Sequence, residues 1–179
     1  MNAPAPAVFR RNVTLDQLNA FNVGTAMASL GIVFTEIGPD YLRGTMPVDA
    51  RTHQPYGLLH GGASVLLAET LGSSAGNLCA IPGRRCVGME INANHVGAIR
   101  DGHVVGTARP VHLGHSSQVW EIRIEDAADG RLVCISRLTL AVVTEQPDRA
   151  VCVVHARNQV NQNAPGELNA AIDVVDVVE

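Results

Sequence analysis

Gly57-Leu-Leu-His-Gly-Gly-Ala-Ser-Val-Leu-Leu-Ala-Glu-Thr-Leu-Gly-Ser-Ser-Ala-Gly76 is the stretch on which the fold of this chain turns. It reads as a loop feeding a long apolar helix, from about Gly61 to Cys79, closed by Ile81-Pro-Gly83. From Gln54 to Pro82 the only charged residue of the Lys, Arg, Asp or Glu type is Glu69. An unpartnered carboxylate is costly to bury as an anion. Either its helix face meets water or Glu69 serves a reaction.

Working outward, two strands precede this helix, over Ile32 to Ile37 and Tyr41 to Val48, joined at Gly38-Pro-Asp40. Thr14, with Gln17 in the capping-box position, predicts a short helix from Leu15 to Phe21. A second helical piece covers Thr25 to Leu30. Four strands follow the long helix: Val87 to His95, His103 to Val111, Ser117 to Glu125 and Leu132 to Val143. Asp101-Gly102, Leu113-Gly114 and Asp129-Gly130 carry hairpin signals between them. A helix with no second long helix beside it must bury its apolar surface on the sheet, and short turns make that sheet largely antiparallel. The fold class is α+β, with one domain over residues 1–146 (1–13 loose) and a peripheral tail over 147–179, where Val151 to Val154 forms an extra strand candidate.

The 179 residues suffice for one domain with a real core, and 46% hydrophobic against 17% charged residues argues for a globular chain. The formal charge of −4 disfavours nucleic acid as a partner. The four cysteines lack metal-ligand spacing, and Met1 to Val13 lacks the apolar segment of a signal peptide, which points to a reducing cytoplasm. No apolar run has the length of a membrane span.

His53-Gln-Pro-Tyr-Gly-Leu-Leu-His-Gly-Gly-Ala63, with Glu69 on the helix behind it, resembles the hotdog-fold acyl-CoA thioesterases, in the branch with a catalytic glutamate on the central helix. That branch includes phenylacetyl-CoA, 4-hydroxybenzoyl-CoA and 1,4-dihydroxy-2-naphthoyl-CoA thioesterases. Asn94-His95, His112-Leu-Gly114 and Gln118-Val-Trp120 fit the same pattern, which covers roughly residues 15–145. The resemblance implies an antiparallel sheet of about six strands wrapped around one helix. It also implies hydrolysis of an aromatic or medium-sized acyl-CoA, no cofactor beyond the CoA of the substrate, and homodimers with shared active sites paired into a tetramer.

The residues supply a chemistry for that expectation. Gly61 opens the helix, where backbone N–H groups are free and the helix dipole is positive, and it has no side chain to block a thioester oxygen. It is the candidate oxyanion donor. Glu69 is nucleophile or general base. Eight residues separate the two, about 12 Å at ~1.5 Å per residue, too far for one thioester to touch both on one helix. The spacing itself therefore predicts a dimer in which Gly61 of one subunit faces Glu69 of the other. Ser73, at i+4 from Glu69, is placed to orient the carboxylate or a water.

By resemblance, Gln54 partners the carbonyl and His60 orients the thioester and leaving sulfur. Gly88, His95, Val96, Gly97 and Ala98, together with His112, Leu113, Gly114, His115, Ser116 and Ser117, line the CoA channel. Arg100 or Arg137 is a candidate for its nucleotide end. Tyr56, Leu59, Val87 and Met89 are candidate acyl-pocket walls.

Three other signals point elsewhere. Gly72-Ser-Ser-Ala-Gly76 matches the G-x-S-x-G elbow, but an elbow needs a strand before it, and this one falls inside a running helix. His112-x-x-His115 lacks a third ligand, so no metal is expected. A hotdog hydratase or dehydratase, pairing a pre-helix His with a helical acid, and a non-catalytic acyl-CoA-binding domain are the alternative functions.

Overall fold

A computed structural model describes residues 8–145. The tail from 147 onward, its candidate strand included, and residues 1–7 lie outside the described residues.

Two short helices, α1 (Leu15–Ala20) and α2 (Ala26–Leu30), precede a strand pair, β1 (Val33–Ile37) and β2 (Leu42–Pro47). The long helix α3 (Gly61–Cys79) follows, then β3 (Arg84–His95), β4 (His103–Leu113), β5 (Ser117–Asp126) and β6 (Leu132–Thr144). The reciprocal Thr14–Gln17 capping box starts α1, and Gly31, at φ 71°, ends α2 in the left-handed conformation. The six strands form one antiparallel sheet in the order β1-β2-β4-β5-β6-β3, with α3 packed against it. This is the hotdog arrangement.

Alternation along the strands sets which side chains meet α3. In β5, Gln118, Trp120, Ile122 and Ile124 are buried; in β2, Leu42 and Met46 are. On the helix, Leu67, Leu71, Ala75 and Leu78 enter the same core. Glycines bring the two layers into contact. A β-carbon at Gly72 would stand 2.6 Å from Leu138 Cδ2, and one at Gly76 would strike Leu140 Cδ1. In return, Leu71 fills the space over Gly44 and Gly106. The G-x-S-x-G pattern is thus a packing device: its two glycines receive leucines from β6.

Two expectations change. Residues 8–11 are not loose: Val8 N–H donates to Pro39 O, and the Arg10 and Arg11 N–H groups both donate to Leu78 O. The Asp101-Gly102 signal does not make a hairpin of β3 and β4. That turn instead delivers β4 to β2, with His103 opposite Pro47 and the Val48 N–H donating to Gly102 O. β3 lies at the far edge of the sheet, paired only with β6. Turn chemistry marks where a chain reverses; it does not choose the neighbour.

Candidate active site

The loop before α3 is braced from several sides. Thr52, 1% exposed, donates its hydroxyl to Pro47 O at 2.9 Å and accepts from the Asp49 N–H, while its carbonyl takes the His60 N–H at 2.8 Å. Arg51 pairs with Asp49 at 2.6 Å, and its hydrogen bonds hold the Asp49 carboxyl down at about 2. Gly57, at φ 69°, turns the chain back so that the Gln54 N–H reaches Leu58 O. The Gln54 side-chain oxygen accepts the Tyr56 N–H at 3.2 Å. Among the described residues its amide nitrogen has no acceptor, and Gln54 lines the cavity described below. Arg100 belongs to this bracing: its guanidinium donates to Tyr56 O, and its own carbonyl lies 2.8 Å from His53 Nε2.

His60 caps α3. Its Nδ1 accepts the Gly62 N–H at 2.8 Å, which puts the neutral imidazole's proton on Nε2. Among the described residues the Gly61 N–H finds no acceptor, so the helix opens with one free donor. His95 stands over that glycine. A β-carbon on Gly61 would come within 2.8 Å of His95 Nε2, so the imidazole from the end of β3 occupies the space the missing side chain leaves. A cavity of about 520 Å³ collects Gln54, His60, Gly61, His95, Val96, Gly97 and Ala98, with apolar walls at Leu58, Leu59 and Val133. Ser64 also lines it, a residue that carried no expectation from the sequence. Its position at i+3 from Gly61 and i+4 from His60 was the available signal.

Glu69 is outside this cavity. It is exposed, and its carboxylate leans toward the edge strand: a β-carbon at Gly88 would lie 3.0 Å from Glu69 Oε1. Ser73 is half-buried on the turn after it, and its carbonyl accepts from Asn77 Nδ2 at 2.9 Å. Gly88 and His95 sit seven residues apart on β3, about 23 Å at ~3.3 Å per residue. The two groupings are therefore separate within one chain.

The third grouping, at the β4–β5 turn, borders another cavity, of about 580 Å³. Leu113, Gly114 and His115 line it together with Arg10, Arg84 and Gln118. The Gly114 N–H donates to Ser117 O, and Ser116 O accepts from the Val142 N–H. His112 packs over Gly114, 2.5 Å from where a β-carbon would be. The N–H groups of Val96 and Gly97 both donate to Val133 O, so that turn has no free donors at those residues for a phosphate. Arg137 is exposed on β6, in register with Glu121 of β5. Tyr56 and Met89 are exposed, at 81% and 66%.

Among the described residues no group of three or more His, Cys, Asp or Glu side chains is arranged to hold a metal ion, and no helix is long and apolar enough to cross a membrane.

A family model described as "Thioesterase superfamily" matches residues 56–134. The 1,4-dihydroxy-2-naphthoyl-CoA hydrolase of Escherichia coli (strain K12) is 54% identical over 136 residues, covering 76% of this chain and 99% of its own. The chain belongs to the thioesterase superfamily. The proofreading thioesterase EntH of Cronobacter sakazakii is likewise 54% identical over 136 residues, 76% of this thioesterase and 98% of that one. A crystal structure of a Haemophilus influenzae thioesterase matches with a TM-score of 0.76 at 45% identity, over 80% of this chain and 99% of that chain. This protein is a thioester hydrolase of the hotdog fold.

Proposed function

We propose that this thioesterase hydrolyses an aromatic or medium-sized acyl-CoA to the free acid and CoA, at sites shared between two copies of the chain. The observation that carries the reading is the division of the chemistry along α3. A free N–H donor at Gly61 opens the helix, and an exposed carboxylate at Glu69 lies eight residues on, about 12 Å away. Neither half suffices alone. The edge strand β3 offers the means to join them. It is paired on one side only and exposes Val87 and Met89. A second copy added antiparallel along β3 continues the sheet and buries an edge that would otherwise invite non-specific pairing. Two such dimers form a tetramer. The CoA substrate class is supported by the relative named for 1,4-dihydroxy-2-naphthoyl-CoA.

In this site the thioester oxygen accepts from the Gly61 N–H, with the positive end of α3 behind it. The Gln54 amide N–H and the His60 Nε2–H are further donors, toward the carbonyl and the leaving sulfur. Glu69 of the other subunit acts in one of two ways. As a nucleophile it adds to the carbonyl carbon and expels CoA thiolate, and water then hydrolyses the mixed anhydride. As a general base it takes the proton of a water that attacks directly. Ser73 orients the carboxylate or that water. Gly88, His95 to Ala98 and His112 to Ser117 form the CoA channel, assembled from both subunits. No cofactor takes part; CoA belongs to the substrate.

Release of free thiol from a panel of aryl- and alkyl-CoA thioesters tests the activity. Glu69→Gln should lower kcat by about 100-fold or more with unchanged folding. Full activity in that variant sinks the mechanism. Tight acyl-CoA binding without release by the wild type would instead make this a binding domain. For the shared site, Gln54→Ala and Glu69→Ala chains exchanged into mixed dimers should regain activity that neither has alone. No gain despite confirmed exchange counts against sharing.

A further inference from the structure

β3 is an edge strand, yet its outer side is not open along its whole length. Cys86 lies opposite Val142 of β6, and the Val142 N–H donates the other way, to Ser116 O. Opposed residues of this kind in an antiparallel pair exchange no hydrogen bonds, so the Cys86 N–H and C=O point away from β6. Both meet one side chain of α3. The Cys86 N–H donates to Asn77 Oδ1 at 2.9 Å, and Asn77 Nδ2 donates to Cys86 O at 3.3 Å and to Ser73 O at 2.9 Å. Arg84, two residues earlier and facing the same way, is closed as well. Its N–H donates to Ile81 O, and Arg11 Nη2 donates to its carbonyl at 2.7 Å. The start of the edge is thus saturated by groups of the chain itself.

Beyond Cys86 the edge is bare. Gly88, Ile91, Ala93 and His95 lie opposite Leu140, Leu138, Ser136 and Cys134, which share the parity of Val142; the bulge between Gly88 and Glu90 takes up the odd residue. Their backbone groups therefore face outward, and among the described residues they have no partner. Such a row is a template for another strand. It is also complementary to itself. Laid antiparallel on a second copy with Gly88 against His95 of the partner subunit, it sets Ile91 against the partner's Ala93 and puts Asn92 on the two-fold axis. Every outward-facing residue then meets an outward-facing residue. A slip toward the start of the strand sets His95 against the partner's Cys86, whose groups Asn77 already holds. A slip the other way carries Gly88 past the partner's His95, into a turn whose Val96 and Gly97 N–H groups are committed to Val133 O.

The matched register has a chemical result. Gly88 faces Glu69 Oε1, and His95 stands over Gly61. Setting Gly88 against the partner's His95 therefore brings Glu69 to the free N–H at Gly61 of the partner subunit. We infer that Asn77 sets the register of this self-pairing: by closing Cys86 it confines the second copy to Gly88–His95, the alignment that assembles one subunit's Glu69 and the other's Gly61 into a site. This rests on the shared-site reading above and adds the residue that aligns it. Asn77 touches no substrate; it is a positioning residue.

Symmetric cross-linking reads the register. In a Cys152→Ser background, Ile91→Cys, Asn92→Cys and Ala93→Cys chains are each oxidised in air and run on a denaturing gel. Facing residues of an antiparallel pair stand about 4.5–5.5 Å apart, within disulfide reach, whereas a slip of one hydrogen-bonded step adds ~6.6 Å along the strand and puts them beyond it. With Asn77 in place, Asn92→Cys should cross-link and the other two should not. Asn77→Ala should transfer the cross-link to Ile91→Cys and, in the chain without added cysteines, lower kcat about 10-fold. Asn77→Asp, the milder change, keeps the acceptor and loses the donor, and should give both cross-links. A purely structural asparagine would lower Tm and leave the cross-link at Asn92→Cys. A cross-link at Ile91→Cys or Ala93→Cys with Asn77 in place, or one that stays at Asn92→Cys in both Asn77 variants, overturns this inference alone. No cross-link at any of the three in a protein that still releases thiol from acyl-CoA overturns the pairing along β3 and the shared site with it.

Discussion

His60 Nδ1 accepts the Gly62 N–H at 2.8 Å, so one nitrogen of the imidazole is committed to capping the helix that starts at the next residue. The other nitrogen then carries the proton and faces the cavity as a donor. A hydratase-type role, in which this histidine removes a proton from the substrate, is disfavoured by that arrangement. His60→Ala should lose the cap, at about 1 kcal/mol of stability, as well as activity. His60→Asn should restore the cap and the stability while leaving kcat low. Urea melts and thiol-release kinetics on the two variants separate the roles; recovery of both properties in the Asn variant would refute the donor assignment.

Gly88 holds the place of Glu69. A methyl group there would sit 3.0 Å from Glu69 Oε1, so the carboxylate must give way by a few tenths of an ångström. Gly88→Ala is expected to fold normally and to lower kcat about 10-fold, because small misplacement of a reacting group is costly. A wild-type kcat in this variant would mean that the carboxylate's position against β3 is immaterial.

The glycines of α3 predict an effect of opposite sign to helix propensity. Alanine at Gly76 should favour the isolated helix by ~1 kcal/mol. Here its β-carbon strikes Leu140 Cδ1 and comes within 3.0 Å of Gln118 Oε1. Overpacking of ~1–3 kcal/mol wins, and the urea midpoint of Gly76→Ala should fall. A rise would show that the leucine repacks freely.

If β3 is the joining edge, a charge there should divide the assembly. Met89→Glu places a carboxylate on an exposed strand residue. Sedimentation should show a shift toward monomer, and specific activity should become concentration-dependent. An unchanged oligomer with unchanged activity would move the interface elsewhere.

Three thiols set the alkaline limit. Burial pushes Cys79 up to about 12, helped by the nearby Cys86, and burial also raises Cys86 and Cys134. In the unfolded chain a thiol ionises near ~8.5. Their contribution is therefore intact below that pH and is lost as pH rises toward the folded values, because only the unfolded chain gains by ionising. The wild-type Tm should drop from pH 7.5 to 10.5, and the drop should be smaller in Cys79→Ala. Equal drops in the two proteins would assign alkaline instability to other groups.

How much of this was legible beforehand differs by element. The bounds of α3 were readable because a glycine pair opens it and Ile81-Pro-Gly83 closes it, both local signals. The place of β3 was not, since pairing with β6 is decided by what the rest of the sheet leaves open. The split between Gly61 and Glu69 follows from arithmetic on one helix. Ser64 escaped notice because a serine in a helix looks alike whether it back-bonds, meets water or faces a cavity. Likewise, the hydrogen bonds that occupy the Val96 and Gly97 N–H groups depend on Val133, more than thirty residues away.

The edge position of β3 also sets an order of events during synthesis. Its partner β6 runs antiparallel to it with Arg84 opposite Thr144, so the first residue of β3 waits for the last residue of β6. The β4–β5–β6 meander closes through short turns and forms readily; closing the longer span back to β3 carries the larger loop entropy. While the chain emerges from the ribosome, β3 is thus an unpaired strand whose one neighbour in the chain, β6, is still to be made. Folding of this protein should be limited by the docking of β3, and aggregation of the nascent chain should begin there.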